Sequence, residues 1–181
     1  MTTAATTPPA WTMRRLMHIG PQQLDDLAQL LVAVVEGGAS VGFMLPMSPG
    51  KARAFWQRVG AAVQRGERAL LVAEDAAGRV VGTVQLIVDQ PENQPHRADL
   101  AKMQVSPHLQ RRGLGAALMH AAEALAREMG KTVLVLDTVT GSAADRLYTR
   151  LGWQRVGEVP NFALWPGGGH CPTTFFHKQL V

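Results

Sequence analysis

The stretch that most constrains this chain is a strand-like segment that runs through a glycine-rich turn into a long amphipathic pattern. Residues 97–105 read as a strand, and Pro107 ends it. Leu114, Leu118, Ala121, Leu125 and Met129 then recur at helical spacing, which predicts a helix from about Gln110 to Met129, closed by Gly130. A helix that opens this way presents unpaired N–H groups and a partial positive charge at its start. Gly113 and Gly115 allow a ligand close to the backbone, and Arg111 and Arg112 add charge beside it. Together these make a pyrophosphate site, although the same glycines could serve only to pack the helix tightly on its strand. Two nucleotide motifs are excluded. There is no G-x-x-x-x-G-K-[ST], and Leu118 stands where the third glycine of G-x-G-x-x-G belongs.

The remaining pattern frames this unit with one sheet. Leu24, Leu27, Leu31, Val34 and Val35 form a helical stripe between Pro21 and Gly37-Gly38. Ser48-Pro49 reads as an N-cap and first helical residue, and Ala52, Phe55, Val59 and Ala62 continue that helix to Gly66. Residues 37–47, between the two helices, carry Val41, Phe43, Met44 and Leu45, so this loop is expected to cover something. Residues 68–74 and 80–89 read as strands around a turn, and residues 132–137 as a short buried strand. Ser142 with Asp145 resembles a capping box for a late helix ending at Gly152. Strands at 154–159 and 173–180 follow, joined by a Pro/Gly-rich loop. Two helices, three strands, helix, strand, helix and two strands predict an α/β (α+β) domain with a mixed central sheet of about six to seven strands and about four helices.

With 181 residues the chain fits one domain, expected over residues 11–181 after a disordered tail at 1–10. The single cysteine, Cys171, permits no internal disulfide and fits a reducing compartment. No apolar run is long enough for a membrane span, and residues 1–10 lack the pattern of a secretory signal, so a cytoplasmic location is expected. The net charge of +4 and pI of 9.8 can favour an anionic partner, such as nucleic acid or a phosphorylated cofactor, but on charge alone they indicate only a mildly basic surface. The basic residues are scattered, and no recognition helix, zinc module or aromatic RNA platform is visible, so nucleic acid is not expected as that partner. The six histidines show no metal-ligand spacing, and no metal is expected.

Gln110-x-x-Gly113-x-Gly115 resembles the [R/Q]-x-x-G-x-[G/A] signature of the GNAT family of N-acetyltransferases, and the element order around it is that family's. The resemblance implies acetyl-CoA as cosubstrate. It places the pyrophosphate on Gln110, Arg111, Arg112, Gly113, Leu114, Gly115 and Ala116, the pantetheine arm along Met103, Gln104 and Val105, and a further contact at Ser142. Segments 36–44, 136–142 and 155–160 resemble a resistance protein within that family, which departs from this chain at Asp99 (a glutamate there) and in the loop 160–171. The acceptor implied is a primary amine of a small molecule. A protein N-terminus or lysine is the alternative acceptor, and a non-catalytic CoA-binding regulator the alternative of another class. The family's habit of pairing allows a homodimer.

Acetyl transfer to an amine needs a base for the amine proton, a held thioester, and an acid for the departing thiolate. Asp137 ends the apolar run Val133-Leu-Val-Leu136, where burial raises a carboxylate's pKa and makes it a better base; its alternative role is to shape the next loop. By resemblance Asp99 is a second candidate base, acting through a water, and Tyr148 the acid aimed at the sulfur. Ser40, Phe43 and Trp165 are the candidate substrate contacts, with Trp56 as pocket wall or plain core.

Overall fold

The computed structural model describes residues 11–180; the tail expected at 1–10 lies outside the described residues. The chain runs β1 (Thr12–Leu16), α1 (Pro21–Glu36), α2 (Pro49–Gln64), β2 (Arg68–Glu74), β3 (Val80–Ile87), β4 (Arg97–Val105), α3 (Leu114–Glu128), β5 (Val133–Val139), α4 (Ala143–Arg150), β6 (Gln154–Leu164) and β7 (His170–Gln179). Seven strands form one sheet in the order β1-β2-β3-β4-β5-β7-β6. Every neighbouring pair is antiparallel except β4 and β5, which are joined by the α3 crossover.

Strand alternation divides the core between two faces. Ala69, Leu71 and Ala73 of β2 pack with Ala98 and Leu100 of β4, Leu134 and Leu136 of β5, and Leu114, Leu118, Met119 and Leu125 of α3. Leu70 and Val72 face the other way, onto Leu27, Leu31 and Val35 of α1 and Val59 and Val63 of α2. Trp56 is fully buried in this second cluster and takes the core role. The expected caps form: Ser48 Oγ accepts from Lys51 N at 3.2 Å, and Ser142 Oγ from Asp145 N at 3.1 Å.

Three boundaries differ from the sequence reading. β1 was not expected, because its Thr-Met-Arg-Arg-Leu run buries only Leu16 and carries no apolar alternation. α3 begins at Leu114, since residues 107–109 form a 3₁₀ turn and Gly113 caps the helix with φ at 88°. β6 and β7 extend through most of the expected loop, which shrinks to residues 165–169. Pro160 is tolerated inside β6 because that strand is the sheet's edge and is bulged between Val159 and Ala163.

Candidate active site

The sheet is split in its middle. β4 and β5 pair only at Arg97↔Val133, Ala98↔Leu134 and Asp99↔Val135. Beyond Asp99, β4 stays with β3 as far as Val105↔Gly82, while β5 stays with β7 as far as Val139↔Thr173. The facing edges of residues 101–105 and 136–139 therefore have no strand between them. Backbone groups in such a position need partners, and an extended ligand with amides of its own can supply them as an added strand would.

The glycine turn closes one end of this split. Gly113 is left-handed, Arg111 is left-handed at φ 59°, and the α3 N-terminus has no side-chain cap. Such a winding turns successive N–H groups toward one concavity, an anion nest on the positive end of a helix. The two glycines have different duties. A Cβ on Gly113 would meet nothing within 4 Å, so its backbone angle is what requires glycine. A Cβ on Gly115 would come within 3.2 Å of Leu147 Cδ2, so this glycine permits α3 and α4 to approach. Gln110, Arg111 and Arg112 are exposed, while the Leu114 side chain is core and offers the site only its N–H. Met103 and Val105 turn their side chains to the α3 core and leave their backbone to the split. Ser142 spends its hydroxyl on the α4 cap.

A buried ion pair fixes α4, which bears Tyr148. Lys178 Nζ lies 2.8 Å from both oxygens of Glu123, which also accepts from Trp153 Nε1 at 3.0 Å, so α3, β7 and the residues after α4 are locked together. Tyr148 is buried against Trp153 and Phe176. Burial, and then the Asp137 charge, push its phenol well above the usual tyrosine range. The phenol is thus protonated throughout the working range and has a proton to donate.

The two candidate carboxylates differ. Asp99 is held by Arg97 in an ion pair and accepts from Gln90 Nε2 at 3.1 Å. Asp137 opens to the cleft, and its carboxyl is raised above the ordinary range, first by loss of solvation, against the lowering pull of Lys102, with Asp99 raising it further. Lys102 is the residue the sequence reading missed. It takes φ 53° at an irregularity in β4, and burial depresses its ammonium pKa while Asp137 raises it. The signal was available: apolar positions in β4 shift from Ala98 and Leu100 to Met103 and Val105, an even-to-odd change that demands one extra residue between them.

The expected substrate contacts build a roof. Ser40 Oγ donates to Leu164 O at 3.1 Å, and Leu45 N to Pro166 O at 2.9 Å, which stitch loop 37–47 to the turn 165–169. Phe43 packs edge-on against Phe55 of α2 at 5.1 Å, and Trp165 stays largely exposed. A hollow of about 520 Å³ between Glu36, Met44, Met47 and Pro166 is lined by neither Asp137 nor Tyr148.

A split parallel pair, an uncapped helix start and a partly desolvated carboxylate whose charge reaches a buried phenol coincide with a match of residues 42–153 to the Acetyltransferase (GNAT) family. The chain belongs to this family. Its fold is shared with yncA of Salmonella typhimurium, a candidate acetyltransferase solved with its cofactor acetyl-CoA (21% identity, 94% of each chain, TM-score 0.75). It is shared equally with a ribosomal-protein-alanine N-acetyltransferase of Brucella melitensis (22% identity, 93% of this chain and 99% of that one, TM-score 0.77). A candidate phosphinothricin N-acetyltransferase is similar at 18% identity over 94% of this chain and 99% of that one, with TM-score 0.75. The family's acetyltransferases take their acetyl group from acetyl-CoA, and this cleft fits that molecule. Unpaired strand edges suit an arm with amides, and the nest at Arg111 to Gly113 suits a pyrophosphate.

Proposed function

We propose that this acetyltransferase moves the acetyl group of acetyl-CoA to a primary amine of a small molecule, with Asp137 as base and Tyr148 as acid. The observation that carries the reading is the place of Asp137, two residues past the last β4–β5 pair at Asp99↔Val135 and near enough to Tyr148 for its charge to raise the phenol's pKa. Residues 101–105 would hold the pantetheine arm, and the N–H groups of residues 113–116, with Arg111 and Arg112, the pyrophosphate. Bound acetyl-CoA supplies an activated thioester. Asp137, directly or through a water, takes the proton the amine loses as its nitrogen bonds to the acetyl carbon. The Tyr148 hydroxyl gives a proton to the sulfur as the carbon–sulfur bond breaks. Asp99 serves this arrangement through its charge on Asp137, with Arg97 holding it in place.

The roof formed by Ser40, Phe43 and the 165–169 turn favours a small acceptor over a protein chain, which would need an open groove. A detoxifying role is supported by the resemblance of segments 36–44, 136–142 and 155–160 to the tabtoxin resistance protein. No described helix is long and apolar enough to cross a membrane, and a cytoplasmic place suits the single, buried Cys171. A homodimer is supported by β6, a long edge strand with Val156, Val159, Phe162 and Leu164 exposed. Calorimetric titration of acetyl-CoA, followed by a thiol-release assay over a panel of amines and over peptides, tests the function. Saturable binding with turnover of small amines supports it, and turnover of peptides alone refutes the acceptor class.

A further inference from the structure

The acceptor side of the cleft has a cation without an ion-pair partner and buried amide groups without hydrogen bonds. Lys102 reaches the underside of the roof: its Nζ lies 3.4 Å from where a Cβ on Gly42 would stand. Among the described residues it has no ion-pair partner within 4.0 Å. Gln85, whose backbone pairs with Ala101 beside it, is fully buried. Its Oε1 accepts from Arg68 Nη1 at 2.7 Å, and its Nε2 has no partner. Gln104, between Met103 and Val105 and so on the face of β4 away from α3, is buried, and neither of its amide atoms is paired. Polar groups at this depth are ordinarily satisfied, and each one left alone is costly.

The nearby carboxylates do not meet this demand. Asp99 is engaged by Arg97 and Gln90. Asp137 and Lys102 feel one another's charge yet close no ion pair. Two opposite charges held apart, with unpaired amide N–H groups on the same strand pair as the positive one, are the complement of a zwitterion.

We propose that the acceptor is an amino-acid-like molecule, whose amine faces Asp137 and whose carboxylate lies against Lys102 and the Gln85 and Gln104 amides. This rests on the small-molecule amine reading above. A carboxylate has about four acceptor sites and forms charge-assisted bonds with such donors. An amine without an acid group leaves those donors unpaired and brings a further cation toward Lys102 and Arg68. Sites built to hydrogen-bond a substrate group discriminate strongly against analogues that lack it.

The test compares amino acids with their own decarboxylated amines: lysine with cadaverine, arginine with agmatine, phenylalanine with phenethylamine, methionine with 3-(methylthio)propylamine. The full chain is used at saturating acetyl-CoA, with thiol release as the readout. The expected kcat/KM is at least about tenfold higher for the acid-bearing member of the pairs that are turned over. Lys102→Met should narrow that ratio, mostly through KM for the amino acid, and Lys102→Arg should restore it. Gln104→Leu offers a second variant should Lys102→Met fail to fold, with acetyl-CoA titration as the check of the cofactor cleft. Amines turned over as well as their amino acids, a ratio unmoved by Lys102→Met and Gln104→Leu, or no turnover of either set while acetyl-CoA still binds, would each overturn the proposal. Absence of acetyl-CoA binding would instead bring down the acetyl-transfer reading beneath it.

Discussion

The two ends of the β4–β5 pair are built from the same strands and behave in opposite ways. At the closed end the strands are hydrogen-bonded, and Asp99 is clamped by Arg97 and Gln90. At the open end they part, and Asp137 faces a cleft with its charge only loosely compensated by Lys102. Pairing satisfies a carboxylate and makes it a structural group, while partial desolvation without a close partner leaves it reactive. On the proposed reading, position along one strand pair separates support from chemistry.

Asp137→Asn should break the open end most severely. Loss of a general base lowers turnover by about 10²–10⁴-fold, with acetyl-CoA affinity retained in a titration. Asp99→Asn should stay within about tenfold of wild type in kcat and lower the melting temperature instead, since it removes a paired group. Equal losses of turnover in the two variants would erase the distinction between the ends.

Tyr148→Phe comes next, with a loss of about 10²-fold, the lower end of what a positioned acid contributes. Its ring is held by Trp153 and Phe176, so the variant should keep its fold and its cofactor affinity. Gly113→Ala is milder and acts on binding. Forcing a Cβ into the left-handed region costs about 1–2 kcal/mol, which weakens acetyl-CoA by about 5- to 30-fold in calorimetry with kcat at saturation little changed. An unchanged affinity would make the turn a packing device only.

Much of this was legible before the structure. The strand, glycine turn and helix could be read because each element carries its own periodicity, and Asp137 because it terminates an apolar run. What escaped was what depends on partners far along the chain. Arg97 and Gln90 hold Asp99 through contacts that no spacing rule encodes. β1 is held by β2 and buries a single side chain, so its own residues look like a loop. The roles of Gly113 and Gly115 are separable only once Leu147 is seen beside one of them. Lys102 was the avoidable omission, since the phase shift in β4 is visible in the residues.

The smallest effect sharpens the comparison furthest, because it distinguishes charge from contact. A base must be ionised to act, so kcat should fall as pH drops through a pKa above the ordinary carboxylate range, and Asp137→Asn should abolish that limb. Lys102 lowers the Asp137 pKa and Asp99 raises it. Lys102→Met should therefore move the limb to higher pH, and Asp99→Asn to lower pH, each by less than about one unit. Stability carries the same sign. A carboxyl whose folded pKa exceeds its unfolded value destabilises the fold only when ionised, so Asp137→Asn should raise the melting temperature at neutral pH. That advantage should begin to shrink as pH falls through the folded pKa and be gone below the unfolded one. Limbs that move together in the two variants would mean that general damage, and not the field at Asp137, sets the profile. Opposite movements would show the closed end tuning the open end without touching the substrate.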